Sequence, residues 1–330
     1  MGHVSGVSTQ YNRGIGDRRY RILRFPRNSR YFNRSKHSFK ASTVMRAVSS
    51  MGYIAPDIVH VHSTEFANTA QKAKVQFRVP IVYSCHSLLS RGVNSPSGKL
   101  FRIAKKIIVP SNWQVRAINK RYPRKAFRSV AVIPHGVKPN LMKKKGSSNQ
   151  LLYVGRLIPS KGLEPLIRAI ALLSKKHSRV HLTIVGSGRT SYQRKLKTLA
   201  RQLGVAKRIR WIKRMPNGTV QRMYASYGAV IIPSKTESFC LVALEAMANG
   251  VPLISTLSGG LKEFVNEQNA QIIRAVESVS IAQVIKTFWS NPTRRRKRIT
   301  NARSTASRFR WPTIAKRYKS LFMAIKKGNS

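Results

Sequence analysis

Glu237 and Glu245 stand eight positions apart in Glu237-Ser238-Phe239-Cys240-Leu241-Val242-Ala243-Leu244-Glu245-Ala246-Met247-Ala248-Asn249-Gly250-Val251-Pro252. They are two of only nine acidic residues in a chain of 330. Leu241, Val242, Leu244, Ala246 and Met247 surround Glu245, a setting in which a carboxylate needs hydrogen-bond partners or a ligand. Glu237 is expected at a strand-to-helix loop, just where the helix begins, and eight residues is a little over two helical turns, so Glu245 is expected to project from nearly the same face. A helix cap plus a buried ion pair would account for them without a ligand. Against that stands the gathering of two of nine acids in one segment.

Two further loops carry the residue types that hold an anion. Gly155-Arg156-Leu157-Ile158-Pro159-Ser160-Lys161-Gly162 joins an apolar run to a helical pattern, where glycine lets backbone approach an anion and Arg and Lys supply full charge. Gly186-Ser187-Gly188-Arg189 follows another apolar run but lacks the third glycine of a dinucleotide fingerprint, so a nicotinamide enzyme is disfavoured. The nine acids are Asp17, Asp57, Glu65, Glu164, Glu237, Glu245, Glu263, Glu267 and Glu277. No Asp-x-Asp pair exists to hold a divalent metal on phosphates, so no metal site is expected and chemistry on a diphosphate falls to Lys and Arg. Cys85 and Cys240, far apart and in apolar contexts, read as small core residues rather than a disulfide or zinc ligands.

The balance of charge is extreme: 63 Lys and Arg against nine acids, a formal net charge of +54. Such a field attracts nucleic acid, anionic headgroups or acidic polymers. Part of it is concentrated in Arg294-Arg295-Arg296-Lys297-Arg298, in Lys143-Lys144-Lys145 and in the Arg-rich stretch from Arg18 to Arg34. No apolar run approaches a membrane span, and Met1 to Gln10 lacks a signal pattern. Gly6 stands where a myristoylation motif wants Ser or Thr, so a soluble cytoplasmic protein is expected.

These loops need a frame. From Leu151 on, Leu151–Val154, Val180–Val185, Ile209–Ile212 and Ala229–Ile232 read as buried strands, separated by helical repeats such as Leu163, Leu166, Ile167, Ile170 and Leu173. The alternation predicts a parallel, helix-covered sheet whose strand-to-helix loops carry the site. In the first half Asp57–Val61, Pro80–Ser84, Lys106–Val109 and Val130–Ile133 are strand candidates, and Ser111 is the expected N-cap of a helix from Asn112 to Arg121.

With these motifs in place the chain resembles the retaining glycosyltransferases of family 4. The resemblance covers nearly the whole chain. It rests chiefly on the Glu-x7-Glu segment of Glu237 and Glu245, with support from Gly155-Arg156-Leu157, Lys161-Gly162, Val185-Gly186-Ser187-Gly188 and Gly259-Gly260-Leu261-Lys262-Glu263. In the first half it includes His86, Val109-Pro110-Ser111-Asn112-Trp113 and Ile133-Pro134-His135-Gly136-Val137. It implies an α/β architecture of the GT-B kind, two Rossmann-like domains facing across a cleft. Residues 1–140 would be the acceptor-side domain, 141–150 a linker, 151–308 the nucleotide-sugar domain, and 309–330 a C-terminal helix packed back on the first domain.

The resemblance also implies roles. Arg156 and Lys161 would stabilise the departing diphosphate, Glu237 would accept from hydroxyls of the donor sugar, and His86 would contact that sugar. Glu245 would take the ribose hydroxyls, backbone near Arg214 and Met215 would meet the base, and Gly155, Gly186, Gly188, Gly259 and Gly260 would line the donor. The expected reaction moves a hexose-type sugar from a nucleoside-diphosphate sugar to a polysaccharide, cell-envelope or lipid-linked acceptor, with retention and without a metal or other cofactor. An anionic membrane surface at the inner face is an expected partner. Two departures stand out. Gly2–Thr9 looks like the family's second strand, so the first domain is expected to lack its opening strand and Gly-rich loop, and Lys105 and Lys138 replace usual acids. The competing reading is a non-enzymatic polyanion- or nucleic-acid-binding protein on a GT-B scaffold, disfavoured because aromatics do not interleave with the basic runs.

Overall fold

A computed structural model of the protein describes residues 8–13, 19–24, 32–33, 38–39, 57–86, 95–122, 129–139, 149–175 and 180–328. The chain divides into two compact units, one of Met1–Val109, Ala117–Ala131 and Phe322–Ser330, the other of Pro110–Arg116 and Val132–Leu321.

In the first unit, β1 (Ser8–Arg13) and β2 (Arg19–Arg24) form an antiparallel pair, as do β3 (Phe32–Asn33) and β4 (Ser38–Phe39). Most of the Gly2–Thr9 strand and of the Arg18–Arg34 stretch lies outside the described residues. The unit's main sheet runs β5 (Val59–Val61), β6 (Ile81–Ser84), β7 (Ala104–Val109) and β8 (Val130–Val132) in that order, the first three parallel. Helices α1 (Ala67–Phe77) and α2 (Pro96–Ile103) make the crossovers. Ser95 caps α2 by accepting from the Gly98 amide at 3.2 Å, with Pro96 in the first turn where no amide is needed. All four expected strands are present with slightly shifted ends. Their buried runs, such as Ile81, Val82 and Tyr83, suit a sheet covered on both faces. Helix α3 spans Asn112–Arg121, and the Ser111 hydroxyl accepts from the Gln114 amide at 3.1 Å, the expected cap.

The second unit is a six-stranded sheet, β9 (Gln150–Val154), β10 (His181–Val185), β11 (Ile209–Ile212), β12 (Ala229–Ile232), β13 (Leu253–Thr256) and β14 (Gln271–Ile273). Its spatial order is β11-β10-β9-β12-β13-β14 and every pairing is parallel. That is the doubly wound arrangement, with its switch point between β9 and β12. Helices α4 (Leu163–Ser174), α5 (Thr190–Gln202), α6 (Asn217–Met223), α7 (Leu241–Ala248), α8 (Ser278–Ser290) and α9 (Pro292–Ser307) cover it, and α10 (Trp311–Lys326) ends the chain.

Strand alternation divides the core. Leu151, Tyr153, Ala229 and Ile231 face the cluster holding Leu166, Ile170 and Ile281, while Leu152, Val230 and Ile232 face the cluster of Leu244, Met247 and Ala302. Both faces are buried, which makes the sheet α/β as expected. Strands β13 and β14 were not expected. The first ends in Ser255 and Thr256, polar residues that are nevertheless buried, and the second is only three residues long.

Candidate active site

The β9/β12 switch point leaves two strand ends side by side, and the charged loops of the second unit grow from them. After β9 the chain turns at Gly155, whose amide donates to the Val185 carbonyl at 3.0 Å, and Leu157 donates to Ser187 at 2.9 Å. The loops after β9 and β10 therefore pack backbone on backbone. A Cβ on Gly186 would overlap the Gly155 carbonyl oxygen and one on Gly188 that of Leu157, so these glycines permit contact between the loops themselves. The buried Tyr153 hydroxyl donates to the Arg156 carbonyl at 2.9 Å and holds the turn.

Lys161 closes a short 3-10 turn, Pro159–Lys161, that Gly162 ends at φ 69. The Lys235 amide donates to the Ser160 carbonyl at 2.8 Å, tying this turn to the segment after β12. There Lys161 Nζ meets Glu237 Oε1 at 2.6 Å, with both side chains nearly buried. The Ser234 hydroxyl donates to the same carboxylate oxygen at 2.7 Å, and Thr256 at the end of β13 donates to the Ser234 carbonyl at 2.7 Å. The Gly260 amide donates to the Glu237 carbonyl at 2.9 Å. Gly259 sits at φ 61 with no room for a Cβ against that carbonyl, so here glycine is required twice over.

Between the two glutamates lies Cys240 at φ 78, a left-handed conformation unusual for a residue with a side chain. It stands as the N-cap of α7, and the helix begins only at Leu241. Glu237 is in the strand-to-helix loop as expected, but the helix starts four residues after it, so the expectation that Glu245 projects from nearly the same helical face is corrected. The turn at Cys240 rather than helical spacing relates the two carboxylates. Burial and the neighbouring Glu237 charge push the Cys240 thiol up, which favours its protonated form. Neither Cys85 nor Cys240 is in a disulfide.

Glu245 is buried on α7 and borders a cavity of about 620 Å³. Gly155, Arg156, Gly186, Arg214, Met215 and Asn217 border the same cavity. The Tyr224 hydroxyl donates to Glu245 Oε2 at 2.8 Å and the Asn217 amide to Oε1 at 3.2 Å. Burial raises the Glu245 carboxyl above its ordinary range, and these donors act in the opposite direction. Tyr153 joins the two halves of the site: burial raises its hydroxyl, followed by the charge of Glu237, while Arg156 acts the other way.

The structure thus brings Arg156 and Glu245 to one cavity, pairs Lys161 with Glu237, and packs the Gly259-Gly260 turn on Glu237. His86 belongs to the first unit, after β6, where its Nε2 lies 3.0 Å from His62 Nδ1 and the two rings stack at 5.3 Å. Tyr153, Ser234, Tyr224 and Asn217 escaped the sequence reading. Each is an ordinary core or turn residue until the fold shows which charged group it supports. A cationic loop beside hydroxyl-accepting carboxylates, next to a cavity of this size, suits a diphosphate joined to polyhydroxylated groups. Among the described residues no group of three or more His, Cys, Asp or Glu side chains is arranged to hold a metal ion.

The chain is similar to known glycosyltransferases over most of its length. The family Glycosyl transferases group 1 matches residues 138–305, and Glycosyltransferase Family 4 matches residues 2–141. An uncharacterized glycosyltransferase of Methanocaldococcus jannaschii is 28% identical over 306 residues, covering 84% of this chain and 78% of the relative. A glycogen synthase of Mycobacterium tuberculosis is 28% identical over 292 residues, covering 83% and 70%. Among solved structures, HepE of Anabaena in complex with UDP and glucose has a TM-score of 0.75 at 22% identity, covering 86% of this chain and 81% of that one. The sucrose-phosphate synthase of Thermosynechococcus elongatus has a TM-score of 0.73 at 22% identity, covering 87% and 77%.

Proposed function

This chain belongs to the glycosyl transferases of group 1, and we propose that it moves a hexose from a nucleoside-diphosphate sugar, UDP-linked in the first instance, to a glycan or lipid-linked acceptor with retention of anomeric configuration. The observation that carries the reading is the 2.6 Å pair of Lys161 and Glu237 next to the cavity that Arg156 and Glu245 border. A diphosphate leaving group develops negative charge as the bond from the sugar's anomeric carbon to the phosphate oxygen breaks. Arg156 and Lys161 supply fixed positive charge against it, where other enzymes use a metal. Glu237 accepts from hydroxyls of the transferred sugar and Glu245 from the ribose diol. The acceptor hydroxyl forms the new bond to the anomeric carbon, and its proton passes to the departing phosphate oxygen.

UDP in the solved complex of HepE supports the choice of nucleotide. The net charge of +54 supports attachment to an anionic membrane surface. The test is transfer from UDP-glucose and UDP-N-acetylglucosamine to oligosaccharide and lipid-linked acceptors, with the product anomer assigned by NMR. Activity that persists in EDTA and an anomer matching the donor are expected. Loss on chelation that manganese restores would overturn the metal-free reading, and an inverted anomer would overturn retention.

A further inference from the structure

Glu245 is held by a directed chain of hydrogen bonds that begins away from the cavity. The Asn249 side-chain amide donates to Gln221 Oε1 at 2.8 Å and to the Glu245 carbonyl at 2.8 Å. Gln221 Nε2 donates to Asn217 Oδ1 at 3.3 Å, and Asn217 Nδ2 donates to Glu245 Oε1 at 3.2 Å. Each amide's orientation is set by the one before it, so the chain presents only a donor to Oε1. On the other side the Tyr224 hydroxyl, fully buried, donates to Oε2 at 2.8 Å. Asn217 borders the cavity, whereas Tyr224 is absent from its lining.

We propose that Tyr224 is a positioning residue for donor recognition: it pins Oε2 of Glu245 from behind, while the Asn249–Gln221–Asn217 chain pins Oε1, and the carboxylate's remaining lone pairs are aimed at a vicinal diol in the cavity. This rests on the assignment of Glu245 to the ribose. A carboxylate oxygen accepts more than one hydrogen bond, so Tyr224 on Oε2 and Asn217 on Oε1, with Gln221 close by, still leave acceptor capacity toward the cavity. A buried carboxyl without these donors would be more readily protonated, and a protonated carboxyl accepts less well from a diol. Burial and the nearby carboxylate push the Tyr224 hydroxyl well up, so it remains a donor throughout the working range. The other titratable groups around the carboxylate are Arg156 and Arg214 on the cavity wall and Cys240 at the head of its helix.

The test is Tyr224→Phe, read with UDP and 2′-deoxy-UDP by calorimetry from pH 5.5 to 8, together with carbon-13 NMR titration of the Glu245 carboxyl. Wild type should prefer UDP by about tenfold or more, as expected for a hydrogen bond to a charged group. In Tyr224→Phe that preference should shrink at pH 6 and recover toward pH 8, with 2′-deoxy-UDP affinity nearly unchanged and the carboxyl titration moved upward. Equal weakening of both nucleotides with an unmoved carboxyl titration would overturn the proposal. A wild type that binds both nucleotides equally, or neither, would overturn the ribose assignment instead, and the carboxyl titration would still decide whether Tyr224 holds Glu245. Should Tyr224→Phe not fold, Asn217→Ala removes the opposite donor and must move the titration in the same direction.

Discussion

At the scale of single residues, the site depends on charges that support each other before any substrate arrives. Lys161 and Glu237 form an ion pair in a nearly buried setting, and Ser234 adds a hydroxyl to the same carboxylate oxygen. Charges so paired are strengthened by the loss of water, and removing one leaves the other uncompensated. Replacing Lys161 with Ala should therefore lower kcat by about 10²–10³, the usual cost of deleting one group that stabilises developing charge. Steady-state kinetics with a UDP-sugar would check this. A rise in KM alone, with kcat intact, would mean that Lys161 binds the donor without stabilising the charge that develops on the leaving group. Cys240 belongs to this scale too, because its left-handed backbone turns the chain between the loop carrying Glu237 and the helix carrying Glu245. Backbone strain at such a point persists only where its surroundings enforce it.

At the scale of elements, loops are held by backbone contacts that leave no room for side chains. Gly259 combines φ 61 with contact against the Glu237 carbonyl, so Gly259→Ala should cost about 1–3 kcal/mol of backbone strain. It should also weaken donor binding by displacing Glu237. Chemical denaturation and UDP-sugar titration would measure the two effects, and a variant unchanged in both would show that the turn tolerates a side chain.

The ends of β5 and β6 carry a different device. His60 and His62 sit with ring centroids 4.0 Å apart, and His60 Nε2 lies 2.8 Å from Ser84 Oγ. Burial, aided by the charges of His62 and His86, pushes His60 down to about 3, and burial lowers His62 as well. Above the ordinary imidazole pKa of 6.5 these rings are neutral in both the folded and the unfolded chain, so they cost nothing. As pH falls from 6.5 toward 3, the unfolded chain takes up a proton that folded His60 refuses, and stability declines across that window. Melting temperature should therefore fall between pH 7 and pH 4, and His60→Asn should flatten the decline. An unaltered slope in that variant would assign the acid sensitivity elsewhere.

For the whole molecule the dominant fact is the charge. The basic run after Pro292 is not uniformly solvated: Arg295 lies over the Phe288 ring at 5.2 Å, and Arg298 donates to the Glu267 carbonyl at 2.9 Å, while Arg294, Arg296 and Lys297 are exposed. Two of five charges thus hold α9 in place and three remain for an external anion. Each exposed cation near an anionic leaflet contributes about 1 kcal/mol, and screening shortens to about 3 Å in 1 M salt. Vesicles rich in phosphatidylglycerol should bind the protein at low salt and release it near 1 M, with little binding to neutral vesicles. Equal binding to neutral vesicles would remove the membrane reading, and tighter binding to nucleic acid at physiological salt would replace it.

Strand periodicity, the capped helix after Ser111 and the charged loops at strand ends were determined by sequence alone, because side-chain burial and local hydrogen bonding act over a few residues. Val130–Val132 and Ile209–Ile212 could be read from their branched residues, whereas Leu253–Thr256 could not. Its Ser255 and Thr256 are buried by neighbouring strands, not by any local pattern. The same limit applies in the site. The proposal that Arg156, Lys161, Glu237 and Glu245 form the site followed from residue type and motif. That Lys161 pairs with Glu237, that Cys240 breaks the supposed shared helix face, and that Tyr224 and Asn217 hold Glu245 were decided only in the tertiary structure. Those contacts join residues 21 to 76 positions apart, brought together by the order in which six parallel strands assemble.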